Sequence, residues 1–141
     1  MSISVFNELY PSQRDTIKPV SMSRQEHRIM AALGRHGNRI LNVNDETLSR
    51  YYEYLKTELS FPFSAYYPEP AKPRDANHFS CLVLELLDPK EFFADEFDGI
   101  YCKTRKGKYE INLPLIELHV PQDSPNYQLI DDFWYWFWNW R

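Results

Sequence analysis

Along residues 45–59 the apolar side chains Leu48, Tyr51, Tyr52, Leu55 and Leu59 recur at the spacing of one helical face. Asn44 stands before them as an N-cap, Asp45 and Glu46 lie where the helix dipole favours anions, and Val43 with Leu48 supplies a hydrophobic staple. The pattern predicts a helix over 45–59, stopped by Pro62. A weaker signal precedes it. Ser23 and Glu26 form a capping box, Ile29, Met30 and Leu33 follow at helical spacing, and Gly34 or Gly37 can end the element, which gives a short helix over 24–35. Its outer face carries Arg24, His27, Arg28 and Arg35 and reads as a solvated face.

Past Pro62 the period changes from helical to alternating. FPFSAYY (61–67) reads as a short strand, PEPAKPRDANH (68–78) with its three prolines as an exposed loop, and FSCLVLELL (79–87) as a strand apolar on both faces. GIYCKTR (99–105) and KYEINLP (108–114) flank Lys106-Gly107, a two-residue hairpin turn. Residues 114–120, PLIELHV, continue as a last strand or a turn of helix. All four Trp then fall in NYQLIDDFWYWFWNWR (126–141). Positions 129, 130, 133, 134, 137 and 138 would share one helical face after a Ser124-Pro125 start. Alternation also places Phe133, Tyr135 and Phe137 opposite Trp134, Trp136 and Trp138, as in a two-sided strand; helix is preferred. Rings of this size must complete the core.

Two helices, four or five short strands and a terminal helix make an α+β protein. The expected form is a small SH3-like antiparallel β-barrel with two N-terminal helices and a C-terminal aromatic helix. Residues 1–40 would be an N-terminal arm and short helix, and 41–141 a single α+β domain. A chain of 141 residues can bury such a core unaided. No run of eighteen apolar residues exists, so no membrane span is expected, and the N-terminus lacks the charge and apolar pattern of a secretory signal. Cys81 and Cys102 form no CxxC pair and fit reduced, buried thiols of a cytoplasmic protein.

Net charge is −4, which argues against a nucleic-acid binder. That charge is concentrated. Residues 1–60 are close to neutral, with eight Lys/Arg against seven Asp/Glu, whereas Glu85, Asp88, Glu91, Asp95, Glu96 and Asp98 are opposed only by Lys90. A cation-attracting surface is therefore expected here. Hard cations such as Ca²⁺ take six to eight oxygen ligands. Asp88, Glu91, Asp95, Glu96 and Asp98 offer carboxylates within eleven residues, and Gly99 lets the backbone turn. The loop is not an EF-hand, since the twelfth position from Asp95 is Lys106. Asp131 and Asp132 form a second acidic group that serves a helix dipole equally well. The sequence carries no GxSxG, P-loop or dinucleotide fingerprint, and His27, His36, His78 and His119 lack zinc spacing, so no enzyme is expected.

Three stretches, LNVNDETLSRYYEYLKTELSFPFSAYY, LPLIELHV and NYQLIDDFWYWFWNW, resemble the small acidic calcium-binding protein family described in cyanobacteria and other bacteria. The likeness runs from Leu41 to Trp140. It implies an SH3-like β core with helical additions and Ca²⁺ bound by an acidic, non-EF-hand loop, for buffering or sensing calcium inside the cell. Asp131 and Asp132 lie within the matching stretches, and the loop 88–98 corresponds in position and character. The competing reading is an SH3-like interaction module without metal, docking a protein partner on an aromatic surface of Tyr51, Tyr52, Trp136 and Trp140.

Overall fold

Three helices and a four-stranded antiparallel sheet make up the residues described by the computed structural model, 22–34, 38–68, 78–92 and 97–141. The expected arm over 1–20, the basic residue Arg35, His36 and most of the proline-rich loop lie outside them.

Helix α1 spans Arg24–Ala32. Ser23 Oγ accepts from the Glu26 backbone N–H at 3.1 Å, and Glu26 Oε1 accepts from the Ser23 N–H at 3.1 Å, the predicted capping box. The helix stops short of residue 35 because Gly34 already turns the chain with φ 88°. Helix α2 spans Asp45–Glu58. Its cap is more complete than expected: Asn44 Oδ1 accepts from the Thr47 N–H at 3.0 Å, while Thr47 Oγ1 accepts from the Asn44 N–H at 2.8 Å.

Strands β1 (Phe63–Pro68), β2 (His78–Leu86), β3 (Tyr101–Lys106) and β4 (Tyr109–Pro114) lie in chain order, each antiparallel to the next. The barrel expectation is corrected here, because the sheet is open. β1 and β4 are its two edges, and among the described residues β1 gains on its outer side only a bridge between Tyr66 and His119, whose backbones exchange two hydrogen bonds of 2.8 Å. β4 is exposed from Tyr109 to Asn112, with the side chains of Tyr109 and Ile111 left open to solvent. After it the chain makes a 3₁₀ turn, Leu115–Glu117, rather than a fifth strand. The hairpin turn is Gly107-Lys108, one residue later than expected, with Gly107 at φ 61° as a mirror-image turn requires.

Helix α3, Tyr127–Asn139, settles the aromatic segment as helical. Its inward face is Ile130, Phe133, Trp136 and Phe137, whereas Trp134 and Trp138 point outward and stay 47% and 45% exposed. The expected face is thus rotated toward Asp132 and Trp136. Apolar residues surround this helix, so spacing alone could not choose; polar partners choose instead. Trp136 Nε1 donates to the Leu41 carbonyl at 2.9 Å, and Asp132 is held by Arg28. One core unites Ile29 and Leu33 of the α1 region, Leu48, Tyr51 and Leu55 of α2, Val83 and Cys102 of the sheet, and the inward face of α3. Cys81 and Cys102 are free and buried, and burial pushes the Cys102 thiol far above its ordinary range. Among the described residues no helix is long and apolar enough to cross a membrane.

Candidate metal centre

The acidic segment is the connection between β2 and β3, and the structure anchors both of its ends. At the start, the Leu87 N–H donates to the Tyr101 carbonyl at 2.8 Å. The chain then turns on Asp88. Its carbonyl accepts from the Glu91 and Phe92 N–H groups at 3.0 and 2.8 Å, and its Oδ1 accepts from the Lys90 N–H at 2.9 Å. An Asp side chain bonded to the backbone two residues on is a local turn device, which explains why Pro89 is accommodated here. At the far end Tyr101 donates its hydroxyl to Asp98 Oδ2 at 2.7 Å, and its ring lies 5.1 Å from that of Phe92. Gly99 adopts φ 71°, and a Cβ there would meet Phe137 at 2.9 Å. The loop therefore leaves through a gap that only glycine fits, directly against the aromatic helix.

Within this frame Asp88 and Asp98 are half-buried and Glu91 is exposed. Asp95 and Glu96 lie outside the described residues. The negative field reaches the body of the protein: burial first, then Asp88, Glu53 and Glu85, raise the Tyr52 hydroxyl above its usual range, with Lys56 opposing them. Lys56 sits 5.6 Å from the Tyr52 ring centre. The donors suit a hard cation, being carboxylate and carbonyl oxygens. Among the described residues, however, no three Asp, Glu, His or Cys side chains converge on one point. A Ca²⁺ coordination sphere of six to eight oxygens would therefore draw on the rest of the loop, backbone or water beside any of Asp88, Glu91 and Asp98.

The second acidic group is placed differently. Asp132 is 3% exposed. Arg28 Nε donates to its Oδ2 at 2.6 Å, Arg28 Nη2 to its Oδ1 at 3.0 Å, and Gln25 Nε2 also to Oδ1 at 3.0 Å. Both oxygens are engaged in a clasp between α1 and α3, and a cation would have to displace a bidentate guanidinium. Among the described residues Asp131 receives only Gln25 Nε2, at 3.3 Å. Burial, then the neighbouring Asp132, raise its carboxyl above the usual range, with Gln25 and Arg28 opposing. Asp131 and Asp132 do not join the loop acids among the described residues.

The aromatic surface is likewise redistributed. Tyr51, Tyr52 and Trp136 are buried and Trp140 is half-buried. Tyr51 packs against both Phe133 and Trp136 at centroid distances of 5.1 and 4.9 Å, and those two rings are 5.9 Å apart. Those rings build the core, and the exposed indoles are Trp134 and Trp138. A residue that sequence reasoning missed is Asn126, buried at the start of α3. Its Oδ1 accepts from the Ser60 N–H and its Nδ2 donates to the Ser60 carbonyl, both at 3.0 Å, tying α3 to the end of α2. An Asn before an apolar run is a local capping signal, and nothing local marks a bridge sixty-six residues long.

Residues 40–137 match the sequence model of a protein family, CcbP, described as calcium binding. No curated protein matches the chain in sequence. Two solved structures share the fold. The crystal structure of Anabaena CcbP superposes with a TM-score of 0.58 at 20% identity, covering 85% of this chain and 94% of that one. A calcium binding protein in its calcium-binding form gives 0.57 at 20% identity, covering 82% and 94%.

Proposed function

The chain belongs to the CcbP calcium-binding family, and on that premise we propose that it takes up Ca²⁺ on the β2–β3 loop, as an intracellular buffer or sensor. The observation that carries this reading is the family match over 40–137, which includes the whole acidic connection. Asp88, Glu91, Asp95, Glu96 and Asp98 are the proposed oxygen donors, joined by loop carbonyls and water. Two features of the frame support them. The loop is anchored at both ends, so closing it on an ion costs less than closing a free segment. Its local excess of negative charge concentrates cations before any ligand closes. The two free, buried thiols fit a reducing cytoplasm. In this reading residues 41–141 are the calcium-binding unit, residues 1–40 are an addition to it, and no catalytic step is assigned.

The test is a thermal melt of the full chain in millimolar Ca²⁺, in Mg²⁺ at matched ionic strength, and in chelator. Ca²⁺ at a hundred times its dissociation constant stabilises the native state by about 2.7 kcal/mol, a shift of several degrees for a chain of this length. Replacing Asp95 and Asp98 together with Ala should abolish the shift. An equal melting temperature in all three solutions removes the calcium reading. A shift that survives the double substitution removes the loop as its site.

A further inference from the structure

Between the segment that bridges β1 and the outer face of α3 lies a cavity of ≈ 220 Å³. Leu118, His119 and Val120 line one side, and Tyr127, Ile130, Asp131 and Trp134 line the other. On α3 the residues Tyr127, Asp131 and Trp134 stand at i, i+4 and i+7, one face of the helix. The helix thus presents a carboxylate flanked along its length by two aromatic side chains.

Charge and shape narrow the occupant. Two adjacent carboxylates, Asp131 and Asp132, share one guanidinium, and Arg28 turns both its Nε and its Nη2 to Asp132. Among the described residues Asp131 receives only a neutral amide, so this wall of the cavity carries an excess negative charge. A metal ion is a poor match, because it wants six to eight oxygens and gains nothing from Leu118, Val120, Ile130 and an indole. An alkyl stem gains from them, and a cationic head gains from the face of Trp or Tyr. The volume lies below the roughly 300–1,000 Å³ of sites that enclose whole drug-sized ligands. One side chain or one small amine is the right scale.

We propose that this cavity binds an organic cation, an ammonium or guanidinium head on an apolar stem, with Asp131 as counter-ion and Trp134 and Tyr127 as aromatic walls. The site lies on α3 and the 118–120 segment, apart from the β2–β3 loop, and does not depend on the calcium reading.

The test titrates n-butylammonium into isotope-labelled full-length protein in chelator, following the Trp indole N–H signals, with Trp134→Phe to assign Trp134. The Trp134 signal should shift saturably while that of Trp136, buried and bonded to Leu41, stays in place. The uncharged n-pentanol should not reproduce the shift at equal concentration. Asp131→Asn should weaken binding about tenfold, the loss of one charge-assisted contact. Equal binding of n-pentanol, or undiminished binding by Asp131→Asn, overturns the proposal. Should Asp131→Asn disturb the Trp136 signal and hence the fold, the exposed Trp134→Ala decides: binding should fall several-fold, and followed on the Tyr127 backbone signal, unchanged affinity overturns it. A capped peptide with one central Lys distinguishes the sources. Tighter binding than the free amine marks a polypeptide partner, and equal binding marks a small amine. Ca²⁺ displacing n-butylammonium from the Trp134 signal in wild type but not in Asp131→Asn would make the cavity a metal site and overturn the proposal.

Discussion

At the scale of single residues, Arg28 decides how α1 meets the rest of the protein. It sits on a helix face that looks solvated from its neighbours, yet its guanidinium reaches across 104 positions to hold Asp132 with two hydrogen bonds. Asp132 is almost fully buried and Arg28 is 35% exposed, so the pair lies between the surface and interior regimes. Removing one partner of a fully buried pair costs roughly 3–5 kcal/mol, and exposed pairs contribute less than about 1. Arg28→Ala should therefore destabilise the protein by about 2 kcal/mol, with Gln25 still bonded to the stranded carboxylate. Replacing both partners with apolar residues of similar size should cost less than the single change, because it strands no charge. Urea unfolding at constant m-value measures both. An Arg28→Ala protein as stable as the wild type would show that the clasp contributes nothing to folding.

At the scale of elements, the two glycines that bound β3 make a natural comparison. Both have positive φ, 71° at Gly99 and 61° at Gly107, so a side chain at either costs about 1–2 kcal/mol in backbone conformation. Only Gly99 also lacks room. Its Cβ would strike the buried ring of Phe137 at 2.9 Å, whereas nothing lies within 4 Å at Gly107. Gly99→Ala should lose about 3 kcal/mol or more and Gly107→Ala about 1, a gap that thermal melts resolve easily. Equal losses would mean that the loop can move away from α3. The same contrast explains what was legible in the chain. The caps of α1 and α2, the β3–β4 hairpin and the helical period of 45–59 are local matters, and each is found within a residue or three of its expected place. The open sheet, the rotation of α3 and the Asn126–Ser60 bridge are settled by partners far away in sequence. Of the candidate site, the acidic loop was visible as composition. Its anchoring by Tyr101, Phe92 and Phe137 was not, since those contacts exist only once β2 and β3 are paired.

At the scale of the whole molecule, the acidic loop and the aromatic helix form one connected body. Asp98 accepts from Tyr101, Gly99 presses on Phe137, and Phe137 meets Trp138 edge-on at 5.2 Å between ring centres. Arg141 covers both of those rings, at 4.7 and 5.2 Å. An event that tightens the loop is therefore felt first at Phe137 and next at Trp138, whose half-exposed indole is sensitive to small changes in its cover. Trp134 belongs to the same outer face, its ring 6.3 Å from that of Trp138, but it also borders the cavity beside His119. Ca²⁺ bound at the loop should change the intrinsic fluorescence chiefly through Trp138. Trp138→Phe should remove the larger part of the Ca²⁺-dependent change, while Trp134→Phe should leave most of it, at unchanged Ca²⁺ affinity in both variants. The opposite ranking would place the responding site beside the cavity instead of the β2–β3 loop. Gly99→Ala adds a control from the same chain of contacts: by forcing the loop off Phe137 it should uncouple the fluorescence change from binding, so that calorimetry still detects Ca²⁺ while Trp138 no longer reports it.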